Sequence, residues 1–146
     1  MNAAAQVIDE LITANTICVV CTLMPDGSPH ASAAHFATVD HTQMLFLSLH
    51  RRSRTAENII LDSRTAITIG VDPGVPATLQ MRGHTTVSQG ADLEIAQQTF
   101  YSRFPRSSRY KDDPRTLFVC FRPAWSRYSD AAARPEFFVR GFPASS

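Results

Sequence analysis

Short apolar runs separated by turn-forming residues fill most of this 146-residue chain and restrict the folds that it can adopt. The runs are rich in β-branched and aromatic residues, which favour strands, and the breaks between them contain glycine, proline or aspartate. Many short strands with few helices favour an antiparallel barrel over a parallel sheet. The predicted strands are Thr16–Leu23, His30–Thr38, Met44–Leu49, Ala66–Val71, Thr78–Val87, Thr116–Arg122 and Trp125–Ser129.

Three segments have the apolar spacing of a helix and are expected at the edges of the barrel. They are the N-terminal residues 1–14, residues 55–62, and a helix that ends near Phe104 after a cap at Ser88 or Asp92. Residues 104–114 are predicted to be an exposed loop. The tail, residues 131–146, contains Phe137, Phe138, Val139 and Phe142 and is expected to dock on the body or on a partner subunit. The length suits one domain, residues 1–146, of mainly β fold with added helices (α+β).

The charge balance argues against nucleic acid or a membrane as a partner. Lys and Arg number 14 and Asp and Glu number 13, so the formal net charge is only +1. No apolar run of about 18 residues is present, and acidic residues stand where a secretory signal would have a basic start. We therefore expect a soluble cytoplasmic protein.

The cysteine and histidine residues do not predict a metal site. Cys18 and Cys21 are three apart on a predicted strand and face opposite ways, so buried structural roles are favoured over redox or zinc binding. His30 and His35, five apart on the next strand, also face opposite ways.

The clearest binding signal lies between the third strand and the second helix. Arginines cluster directly before a helix N-terminus, where free amides and the helix dipole favour an anion. Arginine suits phosphate because its planar fork makes paired charge-assisted hydrogen bonds. The alternative is an ordinary solvated turn. The residues expected to bind phosphate are Ser48, Arg51, Arg52, Ser53, Arg54 and Thr55.

The second predicted strand carries small side chains, in the run Ala31-Ser32-Ala33-Ala34. Small residues leave room for a flat ligand against the strand, but they also accommodate a neighbouring helix. The sequence leaves both interpretations open.

The order of these motifs resembles that of the FMN-binding split-barrel family, the pyridoxamine 5′-phosphate oxidase-like proteins. The resemblance covers roughly Gln6 to Asp130. It implies a six-stranded antiparallel split β-barrel. The matching motifs are LeuPheLeuSer before the Arg/Ser loop, AsnIle in the following helix, LeuGlnMetArgGly, ArgPhePro and TrpSerArgTyrSerAsp.

The resemblance also implies a homodimer with two FMN sites at the subunit interface. Ser48, Ser53 and Arg54 match the phosphate-binding positions of the family, whereas Thr55 stands where lysine is common. Trp125 and Arg127 match positions that reach the flavin or substrate from the second subunit. The C-terminus lacks the substrate-binding Arg-x-His pattern of the vitamin-synthesising oxidases, so the chain is closer to the small flavin-binding members.

The leading hypothesis is an FMN-dependent oxidoreductase acting on an unidentified small-molecule substrate. FMN would place its phosphate on residues 51–55 and its ring near Ser32, with a nicotinamide or another compound as electron donor. No catalytic side chain is predicted, since the flavin carries the redox chemistry. Two alternatives remain: a non-catalytic carrier of flavin, deazaflavin, haem or a related cofactor, and a dimeric split barrel without a ligand.

Overall fold

A computed structural model describes residues 3–39, 42–72, 74, 76–133 and 135–141. Its helices are α1 (Ala3–Ala14), α2 (Arg54–Leu61) and α3 (Ala91–Arg103), and a 3-10 helix spans Pro105–Tyr110. The strands are β1 (Ile17–Leu23), β2 (Pro29–Thr38), β3 (Leu45–His50), β4 (Arg64–Ile69), β5 (Ala77–Val87), β6 (Thr116–Asp130) and β7 (Phe137–Gly141). Phe142, which was expected to help dock the tail, lies outside the described residues.

The strands form one antiparallel sheet that closes on itself. Their order is β3-β2-β1-β4-β5-β6-β7, and β3 also pairs with β6. Six strands therefore make a closed barrel, and β7 is added to the second half of β6. The predicted α+β barrel with six antiparallel strands is confirmed.

The barrel is incompletely paired between β2 and β3. On one edge, β2 pairs with β1 from Pro29 to His35. On the other edge it pairs with β3 only from Phe36 to Thr38. Among the described residues no strand covers that second edge between Pro29 and His35, because β3 pairs with β2 only through Leu45, Phe46 and Leu47, whereas it pairs with β6 along its whole length. This opening is the split of the barrel.

Two apolar clusters hold the fold together. The larger cluster fills the barrel and includes the buried faces of α1 and α2. The smaller one lies where α3 covers the outer side of β3 and β6, and is built around Phe46, Phe100 and Phe118. Burial of these side chains stabilises the fold at about 25 cal/mol per Å² of apolar surface. On the outer side of β1 and the first half of β2, by contrast, Ile17, Ala31 and Ala33 are exposed.

The C-terminal strand differs from the sequence prediction. Two strands interrupted at Pro123 were expected, but β6 is continuous over 15 residues. Pro123 lies opposite Gly83, at a point where the register of the β5–β6 ladder shifts. A proline is tolerated at such a bulge because the missing amide hydrogen is not needed there. Gly83 interrupts the strand predicted over Thr78–Val87, and a glycine inside a strand favours a bulge or bend, which the structure confirms.

Two local predictions about the following helical region are wrong. Residues 105–110, expected in an exposed loop, form the 3-10 helix, and Pro105 starts it because its fixed φ suits a first turn. Neither Ser88 nor Asp92 caps α3: the N-cap residue is Gly90, which has no side chain to do so. The hydroxyl of Ser88 is instead buried, with no hydrogen-bond partner in the part of the chain that the structure describes.

The predicted burial is confirmed for Cys18, whereas Cys21 is only partly buried. Cys18 and Cys120 are buried, and Cys21 faces the opposite side of β1 from Cys18. Burial raises the pKa of the Cys18 thiol to about 12. Within the described ranges, no helix is long and apolar enough to cross a bilayer.

Substitution of Gly83 tests the importance of the bulge. A Cβ at this position would lie 2.1 Å from the carbonyl oxygen of Arg122, so β5 and β6 would have to separate. We expect Gly83→Ala to lower the free energy of unfolding by about 2 kcal/mol, measured by urea denaturation. Gly141→Ala is the control, because a Cβ there meets nothing within 4 Å. Equal urea midpoints for the two variants would contradict this account.

Candidate functional site

A cavity of about 670 Å³ opens at the split between β2 and β3. We call it the split cavity. Its volume lies within the range of about 300–1,000 Å³ that is usual for small-molecule sites. Its lining residues are His30, Ser32, Ala33, Ala34, His35, Ser48, Leu49, His50, Ser53, Arg54, Thr55, Phe100, Ser107, Tyr110, Asp113, Arg115 and Thr116.

The first wall of the split cavity is the half of β2 that lacks a second partner strand. It presents the small side chains of Ser32 and Ala34, which lie on the same face of the strand, so a ligand can approach the backbone closely. Backbone groups along an unpaired strand edge must bond to water or to a ligand. This wall therefore offers a flat surface with hydrogen-bonding groups along one edge.

The second wall is the end of β3 together with the N-terminus of α2. Ser53 caps the helix, because its Oγ accepts a hydrogen bond of 3.1 Å from the Ala56 amide. The first amides of the helix, at Arg54 and Thr55, have no acceptor within the helix, and the helix dipole makes this end positive. Arg54 lies 3.3 Å from Glu57, but such a half-exposed ion pair contributes little stability. The Arg54 guanidinium is thus available to an anion.

A pair of hydroxyl groups joins these two walls. Ser32 Oγ lies 2.6 Å from Thr55 Oγ1, and Thr55 is only 4% exposed. Asn58, fully buried on the same helix, donates a hydrogen bond of 3.1 Å from Nδ2 to Thr22 Oγ1 of β1. These contacts fix the N-terminus of α2 beside β2. Thr55 therefore has a positioning role in the free protein, at the place where the family often has lysine.

The third wall, which sequence reasoning missed, is formed by α3, the 3-10 helix and the segment before β6. Arg115 Nε donates to Asp113 Oδ1 at 3.0 Å, and the terminal amino group NH2 donates to Oδ2 at 2.7 Å. These bonds and the Arg115 backbone amide hold the pKa of the Asp113 carboxyl at about 2. No local signal marks Arg115, since only the pairing of β3 with β6 brings it to the cavity.

The structure brings most of the predicted phosphate-binding residues together, but not all of them. Ser48, Ser53, Arg54 and Thr55 line the split cavity, as does Ser32, which was predicted to lie near the ring. Arg51 and Arg52 are exposed, and although both are described they are not among the lining residues. Arg51 Nε donates instead to the carbonyl oxygen of Pro114 at 3.2 Å. The roles assigned to all of these residues remain predictions.

Trp125 and Arg127 lie far from the split cavity in the same chain. They occupy the outer side of β6, where Arg82 stacks 4.0 Å from the Trp125 ring and Arg127 stacks 4.2 Å from the ring of Phe137. Neither side chain is among the residues that line the cavity, and the β3–β6 pairing that closes the barrel reaches only Phe121 on β6. One chain alone does not bring these two side chains to the cavity.

The sequence model of the pyridoxamine 5′-phosphate oxidase family matches residues 4–130. The chain belongs to this family. The predicted resemblance is therefore confirmed, and pyridoxamine 5′-phosphate oxidase-like structures are also found among its structural neighbours. No curated protein sequence matches the chain significantly.

Three solved structures illustrate the range of pyridoxamine 5′-phosphate oxidase-like folds that it resembles. A haem-binding protein from Mycobacterium smegmatis has a TM-score of 0.83 and 16% identity to this chain. The superposition covers 97% of this chain but only 59% of the M. smegmatis chain. A Clostridium acetobutylicum protein related to general stress protein 26 has a TM-score of 0.71 and 19% identity, covering 94% of this chain and 93% of its own. A putative pyridoxamine 5′-phosphate oxidase from Listeria innocua has a TM-score of 0.72 and 17% identity, covering 86% and 97%. These identities support the shared fold alone.

The bond between Ser32 and Thr55 can be tested by a double-mutant cycle. Ser32→Ala leaves the buried Thr55 hydroxyl without its partner and is expected to lower the free energy of unfolding by about 1–2 kcal/mol. Adding Thr55→Val removes the unpaired hydroxyl, so the double variant should lose less than the sum of the two single changes. Urea denaturation measures all four proteins, and strictly additive losses would exclude a direct bond.

Proposed function

We propose that this protein binds FMN in the split cavity and is an FMN-dependent oxidoreductase acting on a small molecule. The observation that carries the proposal is the shape of the cavity. At one end of the cavity lies an unpaired strand edge with small side chains. At the other end lies a capped helix N-terminus with the exposed guanidinium of Arg54. The strand edge suits a flat ring, and the helix N-terminus suits a phosphate.

The cavity residues fit the parts of FMN, which are a planar tricyclic ring, a ribityl chain and a phosphate. The ring would lie against β2 near Ser32, where small residues leave room for it. The phosphate would bind the hydroxyl groups of Ser48 and Ser53 and the Arg54 guanidinium. Members of the family typically bind a flavin, which agrees with this assignment.

FMN, when bound, supplies hydride and single-electron transfer that the side chains of the protein do not provide. The protein holds the phosphate end at the α2 N-terminus and presents the β2 edge to the ring. Phe100 and Tyr110 cover the opposite side of the cavity and restrict water. Electrons would come from a nicotinamide or another donor. A deazaflavin is the alternative cofactor, because its ring has the same shape and would lie against the same β2 wall.

We further propose that the functional unit is a homodimer. Members of this family are often dimers. The outer side of β1 and the first half of β2 is apolar, and contiguous exposed patches of this kind mark interaction sites. Residues on this face run in register towards Trp125 and Arg127, so a second copy packed against it would bring its own pair towards the cavity. The face consists of Ile17, Val19, Cys21, Ala31, Ala33 and Ala66.

A second candidate function is the binding or carriage of haem without turnover. It is favoured by the fold similarity to the haem-binding protein of M. smegmatis and by the imidazoles of His30, His35 and His50 on the cavity walls. The absorption spectrum of the purified protein separates the candidates, since haem, flavin and an empty protein differ in colour. Bound flavin that neither NADH nor NADPH reduces would favour a flavin carrier over an oxidoreductase. Absence of both cofactors and of FMN binding would favour a dimeric barrel without a ligand.

The phosphate end can be tested by comparing FMN with riboflavin, which lacks the phosphate. Arg54→Gln is expected to weaken FMN binding about tenfold and to leave riboflavin binding unchanged, because only the charge-assisted bonds to phosphate are lost. Titration with either flavin, followed by the quenching of its fluorescence, measures both affinities. Arg51→Gln and Arg52→Gln are the comparison variants from the same loop, with smaller losses expected because neither residue lines the cavity. An unchanged ratio of FMN to riboflavin affinity in Arg54→Gln would exclude this phosphate site.

The dimer can be tested by placing a charge on the apolar face. Ile17 is 44% exposed at its edge, and Ile17→Arg would bury a guanidinium in the proposed interface. We expect this variant to sediment as a monomer at concentrations where the wild-type protein is a dimer. Ile95→Arg is the matched control, because Ile95 is 49% exposed on α3, away from the face. Identical sedimentation of all three proteins would contradict the proposed interface.

A further inference from the structure

We infer that Arg115 is a second phosphate-binding residue of the split cavity, in the place of the lysine that Thr55 replaces. This inference rests on the proposed binding of FMN. It adds to the Arg/Ser loop a residue that lies far from that loop in the sequence.

The charge at the α2 end of the cavity is too small for a phosphate monoester without it. Such a group carries about −1.5 to −2 at neutral pH. Arg54 supplies one positive charge, and the N-terminus of the helix supplies roughly +0.5. Arg51 and Arg52 do not line the cavity, and Thr55 contributes only a hydroxyl that is shared with Ser32. A second arginine on the cavity wall would add charge-assisted hydrogen-bond donors for the phosphate, even where a neighbouring carboxylate offsets its net charge.

Arg115 has the required position because the β3–β6 ladder ends beside the Arg/Ser loop. His50 pairs with Thr116, the last pair of that ladder. One residue further, the Arg51 amide donates to the Arg115 carbonyl oxygen at 2.6 Å. Arg115 therefore lies level with the start of the loop, and its side chain lines the same cavity as Ser53 and Arg54.

The contacts of Arg115 leave it able to bind an anion. Asp113 accepts one hydrogen bond from Nε and one from the terminal amino group NH2. A guanidinium has five N–H groups, so three remain for another partner. The Arg115 side chain is 70% exposed, which permits a ligand to reach it, whereas Asp113 is 19% exposed and fixes one edge of the fork. Asp113 thus orients Arg115, and because its negative charge reduces the attraction for any anion, Arg115 acts through directed hydrogen bonds more than through net charge.

The test compares FMN and riboflavin affinities in Arg115→Gln, Arg115→Lys and Arg106→Gln. Arg106 is an exposed arginine of the 3-10 helix that does not line the cavity, so its replacement controls for the loss of one charge. We expect Arg115→Gln to lower FMN affinity about tenfold with unchanged riboflavin affinity. Arg115→Lys should lose less, because it keeps the charge but not the fork. Urea midpoints should stay near the wild-type value, since the ion pair with Asp113 is a surface pair.

Three results would overturn the inference. If Arg115→Gln keeps the wild-type ratio of FMN to riboflavin affinity, Arg115 does not bind the phosphate, and the proposed function still stands. If Arg115→Gln weakens both flavins equally, the residue acts on the shape of the cavity. If the wild-type protein binds neither flavin, the proposed function fails and this inference fails with it.

Discussion

The incomplete pairing of β2 is the constraint on which the candidate site depends. A strand edge inside a folded protein must satisfy its amides and carbonyls, and here the neighbouring strand leaves β2 after three residue pairs. Closure of the barrel through β3 and β6 makes this departure possible, because β3 stays paired with β6 from Leu45 to His50 although its pairing with β2 ends at Leu47. The opening therefore results from the strand pairing of the barrel. The cavity lies beside backbone amides and carbonyls of β2 that no neighbouring strand pairs with.

Around this opening, the residues that determine the shape of the cavity and the residues that carry charge lie at opposite ends. The β2 wall is nearly uncharged and its side chains are small. The charged groups gather at the other end, where a helix terminus, Arg54 and the Arg115–Asp113 pair meet. Electrostatic attraction is strongest where water is partly excluded, so an anionic ligand is oriented by one end and accommodated by the other.

The sequence predicts features that depend on neighbouring residues and misses those that depend on distant ones. The barrel and the bulge at Gly83 follow from local patterns of apolar, small and turn-forming residues. Continuity of β6 through Pro123 was not predicted, because it depends on Gly83 lying opposite, in another strand. Arg115 was missed for the same reason, since its place is set by the ladder between β3 and β6. In the opposite direction, Arg51 was assigned to the phosphate from its position in the chain, whereas its side chain bonds to the Pro114 carbonyl.

The ladder between β3 and β6 also determines when the site comes into existence during synthesis. β3 is made early, yet its closing partner is the strand that starts at Thr116, close to the end of the barrel. Contacts between such distant segments form late, because the entropy cost of closing a long loop precedes any stabilisation from the contacts. A growing chain therefore has the Arg/Ser loop and the small-residue strand long before it has a cavity between them. A ligand of the split cavity can therefore bind only at the last stage of folding, after β6 has left the ribosome and paired with β3.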